Sequence, residues 1–285
     1  MNHVAELKLH QYMTDAVNGK STISDEVIDQ VANDVRDALQ RQFSGKVKRK
    51  DFRLRMSNIG RPTCQLWYEK NKPETALPKS NNFMMNMMLG DIVEAVFKGL
   101  LKAAKVDYQD SENVILKLKD ANVSGSYDLV IDGAVDDVKS ASDWSYKNKF
   151  ESYDTLSSGD GFGYVGQLAG YAKASDKKVG GWWVVNKANG HFKYVPASGL
   201  NLDDEIKKIE DTVATVNINK FERCFEPEIE TFRGKATGNT VLNSNCKFCD
   251  YRYDCWNLTD KPAVMSKAQI PKIVSYISMV DNVSS

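Results

Sequence analysis

The chain has 285 residues, a formal net charge of zero, and 42% apolar and 27% charged residues, as in an ordinary globular protein. A neutral chain has no global field to draw it to nucleic acid, so any such affinity must come from local patches. No apolar run approaches a membrane span, and "MNHVAELKLHQYMTD" lacks a signal-peptide core, so we expect no membrane partner and a cytoplasmic protein. Thiols stay reduced there, which makes the five cysteines candidates for metal binding and not for disulfides.

In chain order, "STISDEVIDQVANDVRDALQRQF" (21–43) predicts an amphipathic helix, with Val27, Val31, Val35 and Leu39 at fourfold spacing behind polar caps. "KVKRKDFRLR" (46–55) carries six basic residues and one acid, a local patch of the kind most often found on solvated faces or linkers. "MSNIGRPTCQLWYEK" (56–70) reads as a turn leading into a short helix. "NNFMMNMMLGDIVEAVFKGLLKAAK" (81–105) reads as a long helix whose methionines fill the core. A strand is expected around 112–118, then a hairpin. "SSGDGFG" (157–163) lacks the lysine and spacing of a phosphate loop and reads as a flexible lead into a helix near 164–175. "GGWWVVNKANGHFKYVPA" (180–197) predicts a second hairpin turned by Asn189-Gly190, and 201–216 a helix. The remainder reads as loop carrying the cysteines. The expected fold class is α/β, a central mixed sheet flanked by helices, as one domain over 1–285: a helical extension at 1–56, a core at 57–200, and a C-terminal helix with the cysteine segment at 201–285.

The first hairpin, "GSYDLVIDGAVDDVKS" (125–140), is unusual in charge, with four aspartates between 128 and 137. Asp132-Gly133 is the dipeptide favoured in a two-residue type I′ turn. That loop pairs Ile131 with Ala134 and Val130 with Val135, and sets Asp128 across from Asp137. Like charges so opposed destabilise a sheet. Strand alternation puts Lys139 on the face of Asp137 and turns Asp136 away. Two facing carboxylates beside an ammonium suit a hard divalent cation. The bland alternative is a solvated hairpin edge, and a one-residue slip would part the acids.

Three more features bear on this hairpin. Glu94 shares a helical face with Met87, Phe97 and Leu101, which points it at the core; the dull alternative is a surface pair with Lys98 four residues on. Gln167 and Tyr171, four apart, project from one helix face and could reach a phosphate oxygen. "CKFCDYRYDC" spaces Cys246, Cys249 and Cys255 as C-x2-C-x5-C, so the first two can turn onto one metal and the third nearly closes the shell. Cys64 or Cys224 could supply a fourth ligand, and Phe248, Tyr251, Tyr253 and Trp256 would wall the site from solvent. Zinc and an iron–sulfur cluster both suit four thiolates, and three buried structural thiols are the plain alternative.

Gly90-x-x-x-Glu94, Asp128, Asp137-x-Lys139 and Gln167-x-x-x-Tyr171, in this order, resemble the PD-(D/E)xK nuclease superfamily. With Cys64 ahead and C-x2-C-x5-C behind, the chain resembles the iron–sulfur branch that contains RecB-like and CRISPR-adaptation exonucleases. The resemblance spans roughly residues 57–256 and implies a restriction-endonuclease-like core. It implies a Mg²⁺- or Mn²⁺-dependent DNA exonuclease in recombination, repair or phage DNA metabolism, in a bacterial or phage-infected cytoplasm. Glu94, Asp128 and Asp137 would be metal ligands, one or two ions being held. Lys139 would orient the attacking water, and Gln167 and Tyr171 would position the DNA backbone. Cys64, Cys246, Cys249 and Cys255 would hold a [4Fe–4S] cluster, with Zn²⁺ the alternative. An endonuclease of the same fold, or a DNA-binding protein that does not cut, are the other readings. Arg61, Lys48, Arg49 and Lys50 are candidate DNA-backbone contacts; recombination or replication proteins and an oligomer are compatible partners. Tyr127 stands where the superfamily name has proline, and Glu94 where many RecB-like members have histidine.

Overall fold

Each strongly patterned segment of the sequence forms the regular element its periodicity requires. The computed structural model describes residues 3–44, 51–258, 264–266, 269, 271 and 273–280. Helices, in chain order, are α1 (Val4–Val17), α2 (Asp25–Phe43), α3 (Met56–Ile59), α4 (Thr63–Asn71), α5 (Asn81–Ala103), α6 (Tyr153–Ser158), α7 (Tyr164–Ser175), α8 (Leu202–Ile218) and α9 (Arg252–Cys255). Strands are β1 (Gln109–Lys117), β2 (Asn122–Ile131), β3 (Ala134–Ala141), β4 (Lys178–Asn186), β5 (Phe192–Pro196), β6 (Glu228–Phe232), β7 (Lys235–Val241), β8 (Val264–Met265), β9 (Ile273–Val274) and β10 (Tyr276–Ser278). Among the described residues no helix is long and apolar enough to cross a membrane. The chain divides into two compact units, residues 1–60 with 80–214 and residues 61–79 with 215–285.

The first unit is α/β. Its mixed sheet runs β1-β2-β3-β4-β5, with β3 and β4 parallel and every other pair antiparallel. A parallel pair needs a crossover, and α6 and α7 supply it. One face of the sheet buries Leu129, Ile131, Val138 and Trp183 against Leu9 of α1 and Phe97 and Leu101 of α5. The other face receives α7, whose Tyr171 ring presses on β2: a Cβ added to Gly125 would stand 2.7 Å from Tyr171 Cε1. Ser24 caps α2 by accepting the Val27 N–H at 3.4 Å, and Asp25 and Glu26 complement the helix dipole. Packing of α2 on α5 is edged by ion pairs from Arg41 to Asp91 (3.0 Å) and Lys102 to Glu26 (2.8 Å).

The second unit holds α4, a three-stranded antiparallel sheet in the order β10-β7-β6, a β8–β9 pair and α9. Its small core is Leu242, Cys246, Trp256 and Leu258, with Phe225, Tyr253 and Ile277 against it.

Helix α1 lies within the helical extension expected at 1–56, and no periodicity gives its bounds because its buried side is only Ala5 and Leu9. Three expectations are corrected. The methionines of α5 do not fill the core: Met85 is 50% and Met87 43% exposed. The second hairpin turns through residues 187–190, not a two-residue Asn-Gly loop; Asn186 N–H donates to His191 O at 2.7 Å, and only Gly190 there has positive φ. The cysteine segment follows sheet and not loop, since Phe232↔Lys235 pair across Arg233-Gly234, both at positive φ.

Candidate active site and thiol pocket

Asp132 (φ 51) and Gly133 (φ 76) make the primed turn, and the ladder runs Ile131↔Ala134, Val130↔Val135, Leu129↔Asp136, as the sequence requires. The next position sets Asp128 beside Asp137, and there the strands part. Val138 gives its N–H to Asp128 Oδ2 at 2.7 Å, so a carboxylate stands in for a strand carbonyl.

Asp137 is 2% exposed. Burial, then the Asp137 charge, pushes Asp128 up to about 7. Burial likewise raises Asp137, against the pull of Lys139. Burial and the neighbouring acid charges both work against ionisation of this pair. Lys139 is ion-paired to Asp137. Burial pulls its ammonium down, but the charges of Asp137 and Asp128 override that and hold it above its ordinary value.

Helix α7 completes the row. Lys139 Nζ lies 3.5 Å from Gln167 Oε1, and Gln167 Nε2 donates to Tyr171 Oη at 3.0 Å. Glu94 of α5 feels the same acids: burial, then Asp128, raises its carboxyl. Its pairing with Lys98 does form, at 2.8 Å, but inside the protein; Lys98 is 5% exposed and also pairs with Asp110 at 3.0 Å. Asp128, Asp137, Lys139, Gln167 and Tyr171 therefore make a continuous polar row, with Glu94 beside it.

Asp136 turns away, as alternation demands, and is buried on the opposite face. It accepts from Gly181 N (2.8 Å), Trp183 Nε1 (3.1 Å) and Tyr194 Oη (2.9 Å), yet burial still lifts it to about 7.

Sequence reasoning missed Tyr164, Lys149 and Asp160. Lys139 Nζ lies 5.0 Å from the Tyr164 ring centroid, and Lys149 Nζ lies 4.4 Å from the same ring. Positions 164, 167 and 171 share a helix face, which was the available signal for Tyr164. Lys149 ends a short π-helical turn (Ser145–Lys149) and Asp160 sits on irregular backbone, and neither stretch is long enough for a periodicity to mark them.

In the second unit, Cys64, Cys246, Cys249 and Cys255 line one pocket with Tyr68, Tyr251, Arg252 and Trp256. Tyr68 stacks on Tyr251 at 5.3 Å, and Arg223 covers Trp256 at 4.7 Å. Phe248 is 86% exposed, so it does not wall the site as expected. Cys224 is drawn to Cys64: its Sγ accepts the Cys64 N–H at 3.1 Å and faces Thr63 Oγ1 at 3.4 Å. The Cys64–Cys224 hydrogen bond lifts the Cys64 thiol and lowers Cys224 to about 6. Burial raises Cys246, Cys249 and Cys255.

The donor chemistry fits the two expected metals. Buried carboxylates whose ionisation is opposed by burial and by neighbouring acids suit a hard divalent ion, and four thiols suit zinc or an iron–sulfur cluster. Among the described residues, no three His, Cys, Asp or Glu side chains already form a group that could hold a metal ion. Arg61 is committed to Glu69 at 2.8 Å. Lys48, Arg49 and Lys50 lie outside the described residues.

No protein-family model and no curated protein matches the chain. Among the solved structures it is similar to one described as the crystal structure of SSO0001, at 15% identity and a TM-score of 0.42, over 65% of this chain and 86% of that one.

Proposed function

We propose that the protein is a metal-dependent deoxyribonuclease of the PD-(D/E)xK kind, with a restriction-endonuclease-like core, acting as an exonuclease on DNA. The observation that carries this reading is the polar row from Asp128 to Tyr171, in which β2, β3 and α7 each contribute to one buried acid–lysine site.

Mg²⁺ or Mn²⁺ at Asp128, Asp137 and Glu94 would supply Lewis acidity toward a phosphodiester and an acidified water. The protein's own groups do the rest. Lys139 is a fixed ammonium that orients the attacking water and offsets the charge that develops on the phosphorane. Gln167 and Tyr171, held by their mutual hydrogen bond, present an amide and a phenol to the DNA backbone. Asp136 anchors β3 from the other face through Gly181, Trp183 and Tyr194. Cys64, Cys246, Cys249 and Cys255 would hold a [4Fe–4S] cluster, and a colourless zinc protein is the alternative.

The test is degradation of end-labelled linear and closed circular DNA with Mg²⁺ or Mn²⁺ by the wild type and Asp137→Ala. Shortening of linear DNA alone, lost in the variant, is expected. Cleavage of circles would make the enzyme an endonuclease, and a folded wild type that cuts neither would leave a DNA-binding role in place of catalysis.

A further inference from the structure

The glycine-rich stretch before α7, expected to be flexible, is tied down. Gly163 has φ +77 and presses on Gly60, so closely that a Cβ on either would come within 2.5 Å of the other's Cα. Asp160 Oδ2 accepts the Val165 N–H at 2.8 Å, and Oδ1 faces Lys149 Nζ at 3.9 Å. On this frame Phe162 stands 59% exposed. Its ring is parallel to Tyr164 (centroids 5.6 Å apart, planes 13° apart), and Tyr164 in turn stacks on buried Phe150 at 5.8 Å. Lys149 Nζ lies 4.6 Å from the Phe162 centroid and 4.4 Å from that of Tyr164, whose ring also meets Lys139 at 5.0 Å.

Core packing does not account for Phe162, since most of its surface stays in water. The ring lies parallel to Tyr164, continues a stack that reaches Lys139, and is flanked by a second lysine. Aromatic faces beside cations are what an unpaired nucleotide needs: the base stacks on the ring and the phosphate is attracted to the charge.

We propose that Phe162 is a base-stacking platform, taking the nucleobase of an unpaired nucleotide whose phosphate is placed at Lys139. This rests on the nuclease reading for the identity of the strand. Tyr164 and Lys149 are positioning residues that set the plane of the platform. Stacking on a plain aromatic face tolerates every base, so the subsite selects for an unpaired strand and not for sequence.

The test is fluorescence-anisotropy binding without added divalent ions, with labelled oligothymidylate and an abasic oligomer of equal length. Phe162→Ala, at an exposed position, should weaken oligothymidylate binding about tenfold and leave abasic binding unchanged, and Phe162→Trp should restore it. Equal loss on both probes, or no loss on either, overturns the stacking role. Cleavage is scored separately: a wild type that distinguishes the probes through Phe162 but cuts no DNA retains the platform and defeats the nuclease reading. Absence of wild-type binding to both probes overturns the platform, while the nuclease reading stands or falls on cleavage alone.

Discussion

The carboxylate row and the thiol pocket are two ways of gathering ligands. Asp128, Asp137 and Lys139 are placed by strand alternation and a two-residue turn, and Gln167 and Tyr171 by one helical repeat. The cysteines come from α4, a 3-10 turn, a loop and α9, across some 190 residues of sequence. Regular elements make their own backbone hydrogen bonds, so the first site is shaped before any ion arrives. The second unit is built around a small cluster of Leu242, Cys246, Trp256 and Leu258, and a metal that ties its loops would contribute folding energy directly. The carboxylate site should answer to substitution in activity, and the thiol site in stability.

The largest effect that sharpens this contrast is on cleavage. Asp137→Ala should lower DNA degradation by more than about 100-fold, since even partners behind metal ligands are worth 10–100-fold. Its melting temperature should hold or rise, because a buried acid is removed; a collapse in stability would mean that the site is structural. Next comes Cys249→Ser, which should lower metal or iron content and speed proteolysis within residues 215–285 by about tenfold, while 80–214 stays protected. Equal sensitivity of both segments would erase the distinction. The smallest effect concerns Asp136. Its pKa is raised on folding to about 7, so the folded state favours the proton. That stabilisation is complete below about pH 4 and is lost as pH rises through about 7. Metal-free protein should thus melt several degrees lower at pH 8 than at pH 5, and Asp136→Asn should flatten the slope. A slope unchanged by the substitution would assign the effect to other groups.

Much of the first unit was legible because its signals are local. The caps and fourfold spacing of α2 and the Asp-Gly turn each act within a few residues, and the acid pairing followed from that turn alone. What stayed hidden depends on distant chain. Helix α1 owes its place to an aromatic patch in which His3 and His10 meet Tyr194 and Phe192. The exposed methionines follow a correct helix but carry no sign of which face the protein covers. Strands β6 and β7 are polar and largely exposed, so no alternation marks them. Lys149 reaches Tyr164 from a short π-helical turn, and buried Lys98 is met by Glu94 and by Asp110 from β1.

The bond from the Val138 N–H to Asp128 has a practical consequence. That amide is wired to a side chain and not to a neighbouring strand, at the point where the ladder opens. Any proton or ion that draws on Asp128 Oδ2 must change the electron density its hydrogen sees. The backbone nitrogen resonance of Val138 is thus a built-in gauge of site occupancy, readable by NMR titration without DNA, turnover or a mutation.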